Sequence, residues 1–294
     1  MKILNFGSLN IDLVYRVDHT VRPGETLSSY DLSTHAGGKG ANQSAALAKA
    51  GTEVFHAGRI GSDGMWILEK LRSYGVDTGF VTVGSGKTGH AVIQVSKSGE
   101  NAIVLYGGGN REITEDDITG VLNRFSPGDI LLLQNEINNI PFIMNSAAQR
   151  GMRIVFNPAP FDEDVKNYPL HKVDVFIVNE TEGSGLSGVT GRGDEIVDRL
   201  VSIFPGKEII LTLGAEGVLY GKDDKRVRGR ALSVSAVDTT AAGDTFIGYY
   251  LAGVVKGMNI EDILNTACAA SGLTVQRPGA MEAIPLMKEV EALL

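Results

Sequence analysis

Short apolar runs recur along the chain and predict buried β-strands separated by helical segments. Runs that are apolar at nearly every position are typical of strands buried on both faces, as in a parallel sheet covered by helices. We therefore expect an α/β fold class, with a doubly wound, mostly parallel sheet flanked by helices, and one single domain over residues 1–294. The runs lie at 2–7, 130–134, 153–156, 173–178 and 208–213.

Alternating apolar and polar positions mark two further segments and predict strands outside the main sheet. The first segment, about 12–36, carries Pro23-Gly24 in its middle. In the second segment, about 89–110, a strand at 90–95 pairs through a short turn with residues 101–106 as a hairpin. We expect the two segments together to form a small β-strand lid.

The segment Gly84-Ser85-Gly86-Lys87-Thr88 contains the Gly-Lys-Thr that ends a Walker A phosphate loop. The spacing excludes that motif, because Val81 stands where its first glycine is required and a strand follows where a helix should. We expect a turn at this position.

A stretch of small residues leads into a predicted helix that runs from near Ala242 to about Gly257. Ala241, Ala242 and Gly243 present bare backbone N–H groups at the positive end of the helix dipole, where a phosphate can approach. Asp244 on the first turn would repel that phosphate, which favours a general base that takes a proton from a hydroxyl. A solvated Asp at a buried helix start is the alternative.

A second glycine-rich helix start lies at Gly37-Gly38-Lys39-Gly40 and is followed by Asn42. The glycines allow close backbone approach by a ligand, toward which Lys39 and Asn42 can both reach. Taken alone these features are weak, since glycine-rich turns before helices are common and a lone lysine is usually solvated.

Polar clusters follow several predicted strands, at the edge of the sheet where ligands of open α/β folds bind. Asn10 and Asp12 follow the first strand, and turn formation is the alternative for both. A lone Glu at a strand end is usually a loop charge, so the convergence of several clusters near Asp244 is the stronger signal. The other clusters are Asn135-Glu136, Asn179 to Glu182 and Thr212 to Gly217.

The composition of the chain indicates which classes of binding partner to expect. Its 294 residues are 43% hydrophobic and 21% charged, as in an ordinary globular protein. A formal net charge of −8 without a local Lys/Arg run argues against nucleic-acid binding and favours a small-molecule partner. The single cysteine, Cys268, excludes an intrachain disulfide, and we find neither a signal segment nor an apolar stretch of roughly 20 residues. We therefore expect a cytoplasmic protein with no membrane span.

Taken together and in chain order, the motifs resemble the signatures of the PfkB carbohydrate kinases, and within that family those of the ribokinase group. The resemblance covers nearly the whole chain, and linked motifs are far more specific than any one of them. It implies a ribokinase-like fold and an ATP-dependent phosphotransferase whose acceptor is a sugar hydroxyl. The motifs are Gly-Ser-Leu-Asn-Ile-Asp at 7–12, Gly-Gly-Lys-Gly-Ala-Asn at 37–42, Asn-Glu-Thr-Glu at 179–182, Thr-Leu-Gly-Ala-Glu-Gly at 212–217 and Asp-Thr-Thr-Ala-Ala-Gly-Asp-Thr-Phe at 238–246.

The resemblance implies a role for each matching position. Asp244 corresponds to the catalytic base, and Ala241, Ala242 and Gly243 correspond to the anion hole. Asn179 and Glu182 match a motif tied to phosphate and to Mg²⁺, which would be held through water. The sugar-binding positions are Asn10, Asp12, Gly38, Lys39, Asn42, Glu136 and Asp244. The ATP contacts are Asn179, Thr212, Gly214, Ala215, Glu216, Gly217, Gly243 and Cys268.

The resemblance also implies K⁺ as a monovalent cation activator, held partly by backbone carbonyls. A plain salt bridge from Asp238 to Arg277 is the alternative that needs no ion. Two departures bear on affinity rather than catalysis: Cys268 stands where the ribokinase group usually has a polar residue or His, and Ala283 replaces a residue that is often Ser. The matching cation positions are Asp238, Thr240, Thr274, Arg277, Gly279 and Ala283.

We expect a kinase that transfers the γ-phosphoryl group of ATP to D-ribose, giving ribose 5-phosphate, with Mg²⁺ bridging the phosphates. Kinases of the same family for fructose, a 2-keto-3-deoxy sugar acid or pseudouridine are the first alternative. A non-catalytic sugar-binding regulator is the second, and the intact base and anion hole argue against it. A dinucleotide oxidoreductase is disfavoured, because the first strand leads into Gly7-Ser8-Leu9 without the Gly-x-Gly-x-x-Gly fingerprint. The resemblance also implies a homodimer in which the lid strands of two subunits pack together.

Overall fold

A computed structural model describes the whole chain, residues 1–294. The strands, numbered β1 to β13 along the chain, are Ile3–Phe6, Asn10–Val17, Asp31–Gly37, Val54–Gly61, Asp77–Gly84, Gly89–Ser96, Asn101–Tyr106, Ile130–Gln134, Arg153–Asn157, Val175–Asn179, Glu208–Thr212, Val218–Lys222 and Lys225–Gly229. The helices, α1 to α9, are Lys39–Lys49, Met65–Ser73, Glu115–Leu122, Ile140–Gln149, Glu180–Ser187, Gly193–Ile203, Ala242–Val255, Ile260–Thr274 and Met287–Glu291.

The main sheet has nine strands in the spatial order β13-β12-β11-β10-β9-β8-β1-β4-β5. Six neighbouring pairs are parallel: β11–β10, β10–β9, β9–β8, β8–β1, β1–β4 and β4–β5. The two remaining pairs, β11–β12 and β12–β13, are antiparallel. The predicted fold class, a mostly parallel sheet flanked by helices, is therefore confirmed.

Alternate side chains of the central strands point into separate apolar cores on the two faces of the sheet. Ile3 packs in one core, with residues of α1, α2, α7 and α8. Leu4 and Phe6 pack in the other, with residues of α3, α4, α5 and α6. Each large apolar side chain removed from water in this way stabilises the fold by about 1.5–3 kcal/mol. This double burial explains why the central strands are apolar at most positions.

The second sheet has four strands in the order β3-β2-β6-β7. Strand β2 begins at Asn10, close behind β1, and β3 ends at Gly37, directly before α1. The predicted hairpin is present as the antiparallel pair β6–β7. The turn predicted at 84–88 separates β5 from β6, so the Gly-Lys-Thr segment does not begin a helix.

The apolar pattern of the sequence did not predict four strands of the main sheet: β4, β5, β12 and β13. Strand β4 carries His56 and Arg59 among glycines, and β13 is largely charged, so neither shows an apolar run. Both are held in place by pairing with a neighbouring strand rather than by their own composition. None of the helices combines the length and the apolar composition that crossing a membrane requires.

Helices α1 and α7 pack almost backbone to backbone. A Cβ added to Gly248 of α7 would lie 2.4 Å from the Cβ of Ala46 on α1. At the start of α1, a Cβ added to Gly40 would lie 2.4 Å from the backbone nitrogen of Ser8. Only glycine allows these approaches, and they bring the first turns of α1 and α7 together.

Candidate active site

Asp244 lies on the first turn of α7, as predicted, and is only 8% exposed. Its Oδ2 accepts a hydrogen bond from Asn42 Nδ2 at 3.0 Å, and its Oδ1 accepts one from Gln43 Nε2 at 2.9 Å. Ala241, directly before the helix, has the left-handed conformation with φ of 59°. The solvated-Asp alternative is therefore wrong, because the carboxylate is buried and oriented by two amides from α1.

A polar cavity of about 240 Å³ opens in front of Asp244. The helix start that was predicted to bind an anion forms one wall, with Ala241, Ala242 and Gly243. On other sides the cavity meets residues predicted for sugar, magnesium and nucleotide. These are Lys39, Asn179, Glu182 and Thr212.

An apolar cavity of about 300 Å³ adjoins the polar one, and the two share Thr212, Thr239, Ala242 and Gly243. A small apolar cavity that opens on a polar one suits a nucleobase whose phosphates extend toward α7. Of the predicted ATP contacts, Gly214, Ala215, Gly217 and Cys268 line it, whereas Glu216 lines neither cavity. Further apolar lining comes from Ala231, Leu232, Val234 and Phe246.

Cys268 is buried in the wall of the apolar cavity. Burial raises the pKa of its thiol to about 11, since a thiolate loses its hydration there. At neutral pH the side chain is therefore an uncharged, apolar neighbour for a bound base.

Lys39 connects the acidic groups of the site. Burial opposes the charge of its ammonium group, but the carboxylates of Asp244, Glu136 and Glu182 outweigh that effect and raise the pKa of Lys39. The side chain is therefore a permanent cation between the first turn of α7 and the carboxyl ends of β8 and β10. This position contradicts the alternative of a solvated surface lysine.

Asn179 and Glu182 form a reciprocal cap on α5. Asn179 Oδ1 accepts from the backbone N–H of Glu182 at 2.9 Å, and Glu182 Oε2 accepts from the backbone N–H of Asn179 at 3.0 Å. Asn157 Nδ2 also donates to Glu182 Oε2 at 3.2 Å. Burial raises the pKa of Glu182, although these hydrogen bonds and Lys39 oppose the rise.

The structure contains no group of three or more His, Cys, Asp and Glu side chains arranged to hold a metal ion. Mg²⁺ is commonly held by one or two carboxylates, waters and substrate phosphates instead of a complete protein cage. Glu182 lines the polar cavity where such phosphates would lie, so its carboxylate fits that mode of binding.

Five of the predicted sugar-binding residues line neither of these two cavities: Asn10, Asp12, Gly38, Asn42 and Glu136. Glu136 Oε2 accepts from the backbone N–H of Lys39 at 2.9 Å and from the hydroxyl of Ser8. Asn10 and Asp12 are strand residues of β2, so the alternative that they only form a turn is wrong. Gly38 has φ of 93°, a conformation that favours glycine, and leads from β3 into α1.

Asp12 is held where its charge is costly. Its carboxyl group lies against Gly37, where an added Cβ would come within 1.9 Å of Oδ2. Burial, and next the negative charge of Glu136, raises the pKa of Asp12 to about 7. The protonation of Asp12 therefore responds to charge placed beside it.

Several residues of the site were not predicted from the sequence. Asn110 Nδ2 donates to Asn10 Oδ1 at 2.7 Å, and its Oδ1 accepts from the backbone N–H of Leu9 at 3.0 Å. Gln43 and Asn157 contact Asp244 and Glu182, as described above. Gln43 directly follows a motif that was recognised, whereas nothing in the glycine-rich sequence around Asn110 marks it.

The loop around Asp238 excludes the alternative to a cation site. Arg277 pairs with Glu289 at 2.7 Å, so the plain salt bridge between Asp238 and Arg277 is wrong. Asp238 instead accepts from the backbone N–H of Thr240 at 2.9 Å and of Gly279 at 3.0 Å. Burial opposes its ionisation, but hydrogen bonds from Thr240 and Gly279 outweigh burial and lower the pKa of Asp238.

The other two predicted cation positions do not contact Asp238 through their side chains. Thr274 is buried, with its Oγ1 at 3.0 Å from Thr245 Oγ1 and from the carbonyl of Ala270. Ala283 is buried as well, and its backbone N–H donates to the carbonyl of Ala280. The segment after Thr274 nevertheless lies beside Asp238, since the backbone N–H of Asp238 donates to the carbonyl of Val275 at 3.1 Å.

Comparison with known proteins gives a consistent result. Residues 1–287 match the pfkB family of carbohydrate kinases. A ribokinase of Staphylococcus aureus (strain COL) is 34% identical, over 98% of this chain and 98% of its own. A Cryptococcus neoformans ribokinase structure in complex with ADP has a TM-score of 0.87 at 36% identity, covering 100% of this chain and 99% of its own. An Arabidopsis thaliana ribokinase structure complexed with ribose and ATP has a TM-score of 0.87 at 30% identity, covering 99% of this chain and 98% of its own.

We predict that replacing Asp12 changes how stability depends on pH. An Asp whose pKa rises from 3.8 to about 7 on folding lends stability below pH 3.8 that is lost as the pH rises through about 7. Asp12→Asn lacks that titration. Between about pH 5 and pH 8, the unfolding free energy of Asp12→Asn should therefore rise relative to that of the wild type by about 3 kcal/mol.

Urea unfolding at both pH values measures this difference. Asp31→Asn, at an exposed position of the same sheet, is the matched control and should track the wild type. A pH-independent difference between Asp12→Asn and the wild type would contradict the proposed burial of a proton-binding Asp12.

Proposed function

The chain belongs to the PfkB family of carbohydrate kinases, and on that premise we propose that it transfers the γ-phosphoryl group of ATP to D-ribose. The observation that carries the proposal is the arrangement around Asp244. Its buried carboxylate, oriented by Asn42 and Gln43, lies next to the bare backbone of Gly243 at the start of α7. A proton acceptor and an anion-binding helix start lie within one turn of each other.

In the proposed reaction Asp244 takes the proton from the sugar hydroxyl as that oxygen attacks the phosphoryl group. The backbone N–H groups at 241–243 hold the transferred group where its negative charge is spread over the oxygens. Lys39, permanently charged, faces the same cavity and stabilises that charge from the opposite side. Asp244 acts on the attacking hydroxyl, whereas the backbone N–H groups and Lys39 act on the transferred phosphoryl group. The reaction therefore needs all three.

The nucleotide is proposed to lie across both cavities. Its base fits the apolar cavity beside Cys268, and its phosphates fit the polar one between Asn179 and Gly243. When bound through water by Glu182 and Asn179, Mg²⁺ would neutralise phosphate charge. Because ATP is a cytoplasmic metabolite, the proposal includes a cytoplasmic location.

The charges at the sugar end support a neutral polyol as acceptor. Asn10 and Asn42 offer amide groups, and Glu136 and Asp12 offer carboxyl groups, all suited to hydroxyls. A second phosphate on the sugar would meet the negative charge of Glu136 directly. Kinases of phosphorylated hexoses are therefore disfavoured, whereas fructose, a 2-keto-3-deoxy sugar acid and pseudouridine remain alternative acceptors.

The alternative of a sugar-binding regulator without turnover has less support. A binding protein needs no buried carboxylate at the start of a helix that also binds phosphate, because the two repel each other. Asp244 is kept there by two dedicated amide donors, at 3.0 Å and 2.9 Å. That arrangement orients the carboxylate and serves proton transfer.

We predict that Asp244→Asn folds normally but lowers turnover by about 10²- to 10⁴-fold, the usual contribution of a positioned general base. Sugar binding should largely survive, because Asn keeps the size of the side chain. Asp164→Asn, at an exposed position, is the control. The measurement is ADP release with ribose, 2-deoxyribose, fructose, fructose 6-phosphate, pseudouridine or a 2-keto-3-deoxy sugar acid as acceptor.

Two outcomes would count against the proposal. Turnover of Asp244→Asn close to that of the wild type would remove Asp244 as the base. A higher kcat/KM for fructose 6-phosphate than for ribose would show that the charge argument at Glu136 fails, while leaving the phosphoryl transfer itself in place.

A second part of the proposal is a potassium site beside the anion hole. Asp238 carries a negative charge that no Lys or Arg side chain contacts in the structure, since Arg277 is paired with Glu289. Pro278 and Gly279, with φ of 96° at Gly279, form a turn that can aim backbone carbonyls inward. A bound cation would neutralise Asp238 and order the loop that leads to Ala241.

We predict that wild-type turnover is higher in KCl than in NaCl or tetramethylammonium chloride at constant ionic strength, by at least about 5-fold. Asp238→Ala should lose most of that dependence, because it removes the charge that attracts the ion. Asp198→Ala, which removes an exposed Asp on α6, is the control and should respond as the wild type does. Equal wild-type rates in all three salts would reject the site.

We further propose that the second sheet is the lid of this single domain and that two lids pack together in a homodimer. Strand β7 lies at the edge of that sheet and exposes a continuous apolar segment. Apolar edge strands left open to solvent are prone to pair with another chain, so a partner surface is favoured. The segment consists of Ile103, Val104, Leu105 and Tyr106, each more than half exposed.

We predict that Val104→Lys combined with Leu105→Lys shifts the protein to a monomer, because two desolvated charges oppose the packing of the lids. Sedimentation equilibrium of the wild type and the variant measures the mass. Ile203→Lys on α6 adds a charge at another exposed apolar position and should leave the mass unchanged. A monomeric wild type would refute the homodimer.

A further inference from the structure

Gln43 is fully buried and every hydrogen-bonding atom of its side chain is engaged. Its Nε2 donates to Asp244 Oδ1 at 2.9 Å and lies 3.3 Å from Asn157 Oδ1. Its Oε1 accepts from Gln134 Nε2 at 2.6 Å. The side chain lines neither the polar nor the apolar cavity, so it can act on a substrate only through its neighbours.

A chain of amides fixes the direction in which the Gln43 side chain points. Gln134 Nε2 donates to Asn5 Oδ1 at 3.0 Å as well as to Gln43. Asn5 is set in turn, because its Nδ2 donates to the carbonyl of Gly40 at 2.7 Å and to Ser44 Oγ at 2.9 Å. Each nitrogen faces the oxygen of the next residue, so the Gln43 amide can present only its nitrogen to Asp244.

We infer that Gln43 is a positioning residue for phosphoryl transfer, which aligns Asp244 and links it through Asn157 to Glu182. The inference rests on the proposed function, in which Asp244 is the base. With Oδ1 held by Gln43, Oδ2 faces Asn42, whose own Oδ1 is buried without a partner. The oxygen on the Asn42 side is therefore the one that meets the sugar hydroxyl.

The contact between Gln43 and Asp244 also affects Glu182, because Asn157 connects Gln43 to Glu182. Asn157 Nδ2 donates to Glu182 Oε2 at 3.2 Å while its Oδ1 faces Gln43. One set of amides thus spaces two buried carboxylates that would otherwise repel each other across the polar cavity. Gln43 therefore helps to position both Asp244, the proposed proton acceptor, and Glu182, which lies where the phosphates are proposed to bind.

Asn42 and Gln43 are adjacent donors to one carboxylate and provide an internal comparison. Asn42 is one of the predicted sugar-binding residues and has a side-chain oxygen without a partner, so its loss should raise the sugar KM. Gln43 has none, so its loss should lower kcat and leave the sugar KM nearly unchanged. A residue that only packs the core would affect stability and neither kinetic constant.

The test compares Gln43→Met, which keeps the length of the side chain but removes the amide, with the wild type. We expect kcat to fall by about 10- to 100-fold, the range for a reacting group displaced by about 1 Å, while the ribose KM changes by less than about 3-fold. Gln134→Met should act in the same direction by a smaller factor, because it frees the Gln43 amide to rotate. Gln149→Met, at an exposed position of α4, is the control.

The pH profile provides a readout that a packing role would not move. Asp244 faces Lys39 and Glu182 in the wild type. Gln43→Glu adds a further carboxyl group in contact with it, and like charges at that distance favour the protonated form. The acid limb of kcat/KM should therefore move to higher pH, whereas Gln149→Glu, with the same change in net charge, should leave it in place.

Each outcome decides the inference. A kcat of Gln43→Met within about 2-fold of the wild type, or a loss expressed only in KM, would overturn it. If Gln43→Met does not fold, Gln134→Met and the acid limb of Gln43→Glu decide in its place. Absence of ADP release by the wild type with every sugar would overturn the proposed function and the positioning role together, and is distinguishable from a failure of the variants alone.

Discussion

The close packing of α1 against α7 is the constraint on which the candidate site depends. Asp244 receives both of its side-chain hydrogen bonds from the first turn of α1. Those bonds form only because Gly248 lets the helices meet without an intervening side chain, and Gly40 lets α1 begin against the backbone of Ser8. The glycines of the motif at 37–42 therefore serve backbone packing as well as ligand approach.

Most carboxylates of the site are compensated by hydrogen bonds rather than by a salt bridge to a cation of their own. Glu136, Glu182 and Asp244 act on a single cation, Lys39. Buried charges are costly unless hydrogen bonds or opposite charges compensate them, and here amide and backbone N–H donors supply most of the compensation. Glu182 and Asp244 line the polar cavity with only Lys39 as a positive side chain, and the Mg²⁺ of the proposed function would add the positive charge that bound phosphates require.

Much of the fold and of the site could be predicted because local signals coincide with it. Apolar runs marked the central strands, and the small residues before Asp244 marked a helix that begins at Ala242. Edge strands such as β13 were missed because cross-strand pairing, not composition, holds them. The alternative of an Asp238 to Arg277 salt bridge was wrong for a related reason: the sequence shows that both charges exist, but Arg277 pairs with Glu289 on the last helix.

Contacts between residues that are far apart in the chain could not be predicted from the sequence. Asn110 and Asn10 are separated by 100 positions in the chain, and only the fold brings the two amides together. That contact has a mechanical consequence, because Asn10 belongs to β2 of the second sheet while Asn110 belongs to the segment that follows β7. In the proposed complex, a sugar held by Asn10 and Asp12 on one side and by Lys39 and Asp244 on the other would span both sheets. Its affinity would then depend on the position of the second sheet, because a ligand favours the arrangement in which it makes the most contacts.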